Sequence, residues 1–534
     1  MPGVALWSAM TLRYAWVCDD AYISFRYARN LVRGEGLRYN LGEHPPVEGY
    51  SDLLWVLLAA VPIQLGLDPA RPMQLLLAAC GLGVLLMVFS VLRQAEAPPA
   101  VAGVAVLALG TLPPFAVWST SGLEPMAQTF AMLYLFRALV MREGAGWDVW
   151  VAAACLTLVR TEGVAWVAVI AGAGGVGALF AGRRPSWRSL AGVLAVAAAV
   201  ALAQLAFRLG YHEDWIANTA RIKVHMSAST LERGVRYVLL FLTTVGTPVV
   251  MALMSVRALA HKRRGLAAAS LFVVVAVHGY AIAVSGDYMA WFRLLVPALP
   301  FLALGTGLAL HLGWQRRPSQ RRVFLLAGAL IGGANLLAAS GYAPTPRRFR
   351  ADLDIREKTR NFRNENHQWH FMVRNVQDWL RMGGALARYA EGDPDADLVV
   401  GAIGALGWAS DLTLHDRFGL VDREVASLPD PGGKLRSPGH DRIVERTWFV
   451  PRNPRFLGAW TVDAPHWDAR PAKLRGTVRA SGAHMVRYTY APVLATVSVE
   501  GDDVALLLIE RMPDADAAKQ AWTRFGQAAS ERMK

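Results

Sequence analysis

Charged residues and cysteines are both scarce in this chain. Only 18% of its 534 residues are charged, whereas 54% are hydrophobic. That balance is far from the balance of an ordinary soluble domain and indicates a membrane protein. The three cysteines, Cys18, Cys80 and Cys155, lie in or beside apolar segments and show no CxxC spacing. The sequence therefore predicts neither a disulfide framework nor a zinc site.

Nucleotide-binding motifs and internal repeats are also missing. The glycines of "GAIGALG" (401–407) do not have the spacing of a dinucleotide-binding loop. The formal net charge of +14 invites a nucleic-acid interpretation, but much of the excess lies in short loops between apolar segments, where membrane topology explains it. We therefore expect no nucleic-acid partner.

Apolar segments fill the chain as far as residue 341. Nine are long enough, or nearly so, to cross hydrocarbon: 72–92, 99–118, 122–140, 163–181, 187–209, 235–256, 266–284, 290–312 and 321–341. Three are shorter: 1–18, 51–66 and 148–159. The first carries Arg13 and fits a signal-anchor helix that has lost part of its start. Residues 51–66, about 24 Å long at 1.5 Å per residue, are predicted to dip into the interface, which gives about 11 transmembrane helices.

The basic loops predict the orientation of these spans. Three of them, 183–188, 257–265 and 315–322, are separated by two spans each and are expected to be cytoplasmic. The segments 120–125, 160–163, 210–232 and 285–293 then lie on the opposite face, together with the first loop, 19–50. We expect a multi-pass membrane protein in which these segments are extracytoplasmic.

The last 193 residues, 342–534, have shorter apolar runs and more turns and charges. A basic amphipathic segment comes first. Residues 396–422 then read as a strand, a glycine turn, a short helix and a second strand, and the segment 477–510 reads as paired strands. The sequence predicts a polytopic α-helical membrane domain over 1–341 and a soluble extracytoplasmic α/β domain over 342–534, here called the tail.

Two adjacent carboxylates, Asp19 and Asp20, stand where the first apolar segment ends. Charge at the mouth of a span is costly unless it faces water or a partner. A carboxylate beside cationic groups keeps its charge, and it then serves as a base or a metal ligand. The structural alternative is a solvated turn in which one aspartate caps the following helix. That helix carries Arg26, which is a candidate site residue or a surface arginine resting on lipid headgroups.

Other loops on the same predicted face repeat this pattern of charge set tightly against apolar segments. "WSTSGLEPM" contains Glu124, "LTLVRTEGVAW" contains Arg160 and Glu162, and "GDYMAWFRLLVPALP" contains Asp287 and Arg293. Each residue alone is explained by a helix cap or a structural ion pair. Together they predict a polar cavity that contains both carboxylates and arginines.

The chain resembles the polytopic GT-C glycosyltransferases. The resemblance is carried by "DDAYISFRYARNLVRGEGLRYNLGEHPPVEGYSDLLW", "WSTSGLE", "LVRTEG", "DWIANTARIK" and "GDYMAWFRLLVPALP", with "GLVD" and "PGH" in the tail. Within this superfamily it is most similar to the branch of terminal arabinofuranosyltransferases of bacterial cell-wall assembly. The resemblance covers the membrane part and reaches into the tail.

This resemblance implies transfer of a sugar from a polyprenyl-phosphate donor to an envelope glycan or lipid acceptor, without a nucleotide. It implies an inverting displacement in which Asp19 or Asp20 is the base, since a hydroxyl acceptor needs a group to take its proton. Arginines that neutralise the phosphate of the leaving group supply the main stabilisation. A divalent cation such as Mg, Mn or Ca stays open, because the family does not uniformly require one.

We expect Arg293 and Arg160 to bind the donor phosphate, with Lys223 as a third candidate. We expect Glu48, Glu124, Glu162 and Asp287 to bind sugar hydroxyls or a cation. In the tail, His440 is either an ordinary exposed histidine or a contact to donor or acceptor. The alternative functions are a lipid or glycan transporter, which the absence of repeated halves disfavours, and a non-catalytic scaffold of envelope assembly.

Overall fold

The computed structural model describes residues 2–142, 146–223, 227–356, 363–429, 436–462 and 471–531. The first part is a bundle of helices. In chain order they are α1 (Pro2–Arg13), α2 (Asp19–Val32), α3 (Leu53–Gln64), α4 (Ala70–Gln94), α5 (Pro99–Gly110), α6 (Pro113–Val117), α7 (Pro125–Met141), α8 (Trp147–Val159), α9 (Gly163–Phe180), α10 (Trp187–Phe207), α11 (Asn218–Lys223), α12 (Ala228–Val245), α13 (Thr247–Arg257), α14 (Arg264–Ala283), α15 (Leu299–Arg316) and α16 (Arg321–Ala339).

The bundle is organised around α15. This helix is apolar on all sides, and 15 of its residues are buried, as expected of a helix at the centre of a bundle. It packs against α4, α5, α13 and α14. By contrast, α10 leaves most of its apolar surface uncovered, which suits a helix that faces lipid.

Within the described residues, six helices are long and apolar enough to cross a membrane, or seven if one bent pair counts as a single span. Four more apolar helices, α3, α5, α7 and α8, are shorter. The chain is therefore a multi-pass membrane protein, and the number of 11 crossings stays a prediction.

The segment 235–256 is not one straight span. Its helices α12 and α13 meet at an angle of 97°. Gly246 between them has a φ of 74°, a value that glycine adopts without steric cost, and Pro248 follows in the first turn of α13. The apolar run was visible in the sequence, but the break made by this Gly–Thr–Pro step was not predicted.

The tail contains a β-sheet, as predicted, and this sheet has five strands, of which the strand at 456–461 was not predicted. Its elements are α17 (Arg347–Leu353), α18 (Glu365–Tyr389), β1 (Asp397–Val400), α19 (Gly404–Ser410), β2 (Thr413–Asp416), α20 (Arg423–Ser427), β3 (Phe456–Thr461), α21 (Pro471–Ala480), β4 (Tyr490–Val499), β5 (Asp502–Arg511) and α22 (Ala515–Glu531). The strand order is β2-β1-β3-β5-β4. The pairs β1–β2 and β1–β3 are parallel, and β3–β5 and β4–β5 are antiparallel. The domain boundary at residue 342 stays a prediction.

The tail docks on α2 through buried hydrogen bonds. The Arg26 guanidinium donates to the carbonyls of Gly407 and Leu412, at 2.8 Å each, and to that of Tyr39 at 2.9 Å. Arg29 and Arg33 pair with Asp411. Arg26 is buried, and a buried charge is costly unless it is hydrogen-bonded. The carbonyls of the tail supply these bonds, so the contact fixes the tail against the membrane domain.

A glycine at the start of α19 makes this approach possible. A Cβ at Gly404 would lie 2.6 Å from the Asp19 carboxylate and nearer still to the main-chain oxygen of Asp19. We expect Gly404→Ala to destabilise the docked tail by about 1–3 kcal/mol through overpacking, measured as a lower melting temperature of the detergent-purified chain. The matched control is Gly476→Ala in α21, whose Cβ would meet nothing within 4 Å. Equal melting temperatures for the two variants would contradict the tight docking.

Candidate functional site

A cavity of about 1190 Å³ lies between the helices and the tail. The loops that carry the predicted charges meet there. Seven of the predicted site residues line it: Asp19, Asp20, Arg160, Glu162, Asp287, Arg293 and His440. The three basic loops, 183–188, 257–265 and 315–322, contribute none of its described lining residues. The polar cavity expected from the sequence is therefore present, whereas the roles of its residues stay predictions.

The two adjacent aspartates have different surroundings, because consecutive residues of a helix point about 100° apart. They open α2, directly after its cap residue. Asp19 turns toward the tail, where its Oδ1 accepts the Ala405 amide at 2.7 Å. Asp20 turns toward Arg293, with 3.8 Å between its Oδ2 and Nη1, and its side chain is 29% exposed. Asp20 is thus the carboxylate that a ligand reaches beside a cation.

Burial raises the pKa of Asp19 to about 7, although the amides of Ala405 and Gly404 oppose the shift. The nearby Asp20 carboxylate raises it further. The folded chain therefore holds this proton more tightly than the unfolded chain, in which an aspartate titrates near 3.9. The stability that the proton contributes is complete below pH about 4 and is lost as the pH rises through about 7.

We therefore expect Asp19→Asn to change the pH dependence of stability. Asparagine stays neutral and keeps an oxygen for the Ala405 amide. The stability of the variant relative to the wild type should therefore increase by about 3 kcal/mol from pH 5 to pH 8, because the unfolded wild type releases this proton above pH about 4 and the folded chain only above about 7. Melting temperatures of both chains at the two pH values test this. Parallel pH profiles would show that Asp19 does not titrate in this range.

Arg293 is held by an unusual turn. The two residues before it, Trp291 and Phe292, have φ values of 60° and 55°, which bulky side chains rarely adopt and which cluster at functional sites. Glu365 of the tail stabilises the turn by accepting the Trp291 amide at 2.7 Å. The turn places the Arg293 Nε 2.8 Å from Asp287 Oδ2. Arg293 thus faces Asp20 and Asp287 together.

Arg160 lies in a second ion cluster on the cavity wall. It pairs with Glu124 and, at 2.5 Å, with Glu162. Tyr280 donates to Glu162 at 2.8 Å. Glu124 itself is buried behind Arg160 and does not line the cavity. With two carboxylates for one guanidinium, this cluster has less positive charge to offer a ligand than the sequence suggested.

His440 joins the tail to the loop that carries Asp287. Its ring packs edge-on against Tyr288 and Phe418, with centroid distances of 4.5 and 4.7 Å. Both aromatic residues line the cavity as well. His440 therefore occupies the seam between tail and membrane domain.

Besides Glu124, the predicted site residues Arg26 and Glu48 are not among the described lining residues. Arg26 docks the tail, as described above. Glu48 pairs with Arg208. The side chain of Lys223 lies outside the described part of the chain.

Sequence reasoning missed the arginines and the carboxylate that the tail contributes. Arg417 and Arg446 line the cavity, and Glu365 holds the Arg293 turn. Arg417 directly follows β2, and ligands of parallel sheets bind at the carboxyl ends of strands. That position was a usable signal, whereas nothing local marked Arg446 or Glu365.

Over the ranges that the structure describes, no group of three or more His, Cys, Asp or Glu side chains is placed to hold a metal ion. The divalent cation considered from the sequence therefore has no assigned ligands here.

The polytopic bundle with a sheet-containing tail has a GT-C-like fold, which confirms the fold expected from the resemblance in the sequence. The structure is similar to that of ArnT from Cupriavidus metallidurans bound to undecaprenyl phosphate, with a TM-score of 0.57, 13% identity, and coverage of 95% of this chain and 96% of ArnT. It is also similar to ArnT from the same organism in the apo state, with a TM-score of 0.52, 13% identity, and coverage of 95% of this chain and 97% of ArnT.

Among proteins of assigned activity, the chain is similar to a terminal β-(1→2)-arabinofuranosyltransferase of Corynebacterium glutamicum. The two are 26% identical over 352 residues, which is 58% of this chain and 51% of the relative. The match thus spans about half the length of that enzyme. Residues 360–506 of the tail match a family described as a domain of unknown function, DUF8728.

Proposed function

We propose that this protein is a glycosyltransferase that moves a sugar from a polyprenyl-phosphate donor to an extracytoplasmic glycan or lipid acceptor. The observation that carries the proposal is the placement of Asp20 beside Arg293 in a cavity of about 1190 Å³, within a GT-C fold. A carboxylate and a guanidinium side by side are a base and a phosphate ligand for one displacement. The cavity has room for a sugar together with a phosphate group.

The proposed reaction is a single displacement at the anomeric carbon. The acceptor oxygen forms a bond to this carbon while the bond from the carbon to the phosphate oxygen breaks. The electron pair of the broken bond goes to the phosphate, which leaves as polyprenyl phosphate. The acceptor proton goes to the Asp20 carboxylate. Attack from the face opposite the phosphate inverts the anomeric configuration.

Asp20 is the preferred base because of its contacts. Asp19 already accepts the Ala405 amide, so its carboxylate is oriented toward the tail. Asp20 is partly exposed and has a cation beside it. In this proposal Asp19 is a positioning residue that links the tail to the start of α2.

Arg293 is the proposed ligand of the donor phosphate. Its partner Asp287 is buried, with 6% of the side chain exposed, and keeps the guanidinium in place. Arg160 supports the same region, while Glu124 and Glu162 balance its charge. Glu162 and Asp287 also line the cavity and are candidates to bind sugar hydroxyls.

The sugar and the membrane face of the site are also proposed. Arabinofuranose is the first sugar to test, because of the corynebacterial relative. The extracytoplasmic position of the cavity and tail is supported by the basic loops, since none of them lines the cavity. A bacterial inner membrane is the expected location.

The experiment is transfer of radiolabelled sugar from a panel of polyprenyl-phosphate sugars, including arabinofuranose, to envelope-glycan acceptors by the purified chain. Product that depends on both donor and acceptor is expected. Donor that binds and is moved between the leaflets of a vesicle without product would favour a transporter. A chain that binds no donor from the panel would favour a scaffold.

A further inference from the structure

The tail contributes two arginines to the wall of the cavity, Arg417 and Arg446. Arg417 is anchored by its Nε, which donates to the Val444 carbonyl at 2.8 Å. The Arg446 guanidinium lies over the Trp460 ring, 4.9 Å from its centroid. Trp460 also lines the cavity. Both arginines are therefore held by a main-chain carbonyl or an aromatic ring and not by a direct contact to a carboxylate in the described chain.

Of the other lining arginines, Arg363 lies over the Phe371 ring, 3.8 Å from its centroid, and four pair with carboxylates. Arg293 pairs with Asp287, Arg160 with Glu124 and Glu162, Arg233 with Asp441, and Arg356 with Glu365. Arg417 and Arg446 form no ion pair within 4.0 Å among the residues that the structure describes. The Arg446 Nε is also buried, and within the described chain it has no hydrogen-bond partner. A buried guanidinium in this state is stabilised by an anion.

The two arginines form an electrostatic centre separate from that of Asp20. The charged groups that act on them are Glu445, Arg436 and Asp416, all of them from the tail. Burial and the neighbouring Arg417 lower the pKa of Arg446 to about 9, so it is still cationic at neutral pH. Arg293, in contrast, pairs with carboxylates of the membrane domain. One cavity thus contains two cationic centres: Arg293 is paired directly with a carboxylate, whereas Glu445 and Asp416 act on Arg417 and Arg446 without an ion pair within 4.0 Å in the described chain.

We propose that Arg417 and Arg446 form an anion site for the acceptor, which takes a phosphate or carboxylate group carried by the glycan or lipid that receives the sugar. The inference rests on the proposed function, in which the donor phosphate lies at Arg293 beside the base. Planar guanidinium groups match the paired oxygens of these anions. The site would favour an anionic acceptor over a neutral one and set its position in the cavity.

The test separates the acceptor's anion from the donor's phosphate. The full-length chain in detergent is first saturated with polyprenyl phosphate, and inorganic phosphate, ribose 5-phosphate or ribose is then titrated while unfolding is followed. We expect both anions to raise the melting temperature of the lipid-bound wild type further and ribose to have no effect. In Arg446→Gln and Arg417→Gln the anion affinity should fall at least about tenfold, while the affinity for polyprenyl phosphate stays the same.

Two variants serve as controls. Arg446→Lys keeps the charge and should retain part of the anion binding, which shows that the site still folds. Arg479→Gln removes an exposed charge of the tail and should behave as wild type. Anion binding that is unchanged in both glutamine variants overturns the proposal, as does weaker polyprenyl phosphate binding in them, which would assign the arginines to the donor. If the wild type binds the anions but no polyprenyl phosphate, the proposed function fails while the anion site stands.

Discussion

Asp20→Asn should reduce the rate of sugar transfer by about a hundredfold to ten-thousandfold, the usual contribution of a positioned general base. Asparagine has nearly the same shape but cannot accept the acceptor's proton. Donor binding should change little, because Arg293 keeps its contact with Asp287. The measurement is the single-turnover rate at saturating donor, with the affinity for polyprenyl phosphate determined separately.

Two other aspartates make this result specific. Asp148→Asn is the matched control, since the Asp148 side chain has the same exposed fraction as Asp20, 29%, and also lies beside one arginine, Arg142, but it does not line the cavity. Its transfer rate should equal that of the wild type. Asp19→Asn should lose less than about tenfold, because its role is positioning. A rate that collapses in Asp19→Asn and survives in Asp20→Asn would exchange the two roles.

Arg293→Gln is expected to lower both donor affinity and transfer rate. Removing a hydrogen-bond donor that stabilises developing charge in the transition state typically lowers the rate by a factor of about 10² to 10³. The variant also leaves the Asp287 carboxylate buried without its cation, so some loss of stability is expected. The transfer rate, the polyprenyl phosphate affinity and the melting temperature should therefore all decrease.

Arg293→Lys separates the loss of charge from the loss of folding. Lysine keeps the positive charge but not the planar geometry, so it should restore stability and part of the donor affinity. The matched control is Arg455→Gln in the tail, which also removes an arginine between two carboxylates, Asp393 and Glu510, but lies outside the cavity lining. If Arg293→Gln binds polyprenyl phosphate as tightly as the wild type, the phosphate is bound elsewhere.

The sequence predicted the architecture because hydrophobic pattern decides it. The apolar segments 72–92 and 163–181 became the helices at 70–94 and 163–180. The strand-helix-strand pattern of 396–422 became β1, α19 and β2. The hydrophobic pattern did not reveal the break where a glycine interrupts an apolar run. The break at Gly246 divides a segment that reads as one span.

The sequence predicted only those site residues that are marked by charge next to an apolar segment. Carboxylates and arginines at the ends of apolar segments marked the loops that surround the cavity. The direction of a side chain was not visible, so Arg26 was grouped with the site although it binds Gly407, 381 residues away. The role of Glu365 in holding the Arg293 turn is equally non-local. Docking of the tail decides both contacts, and no local pattern encodes it.

The central claim is that donor and base meet in one cavity. A cryo-EM structure of the chain with a non-cleavable phosphonate analogue of a polyprenyl-phosphate arabinofuranose tests it most directly. We expect the phosphonate group to contact the Arg293 guanidinium and the sugar to lie between the phosphonate and the Asp20 carboxylate. An analogue bound away from Arg293, with its sugar out of reach of Asp20, would contradict the account.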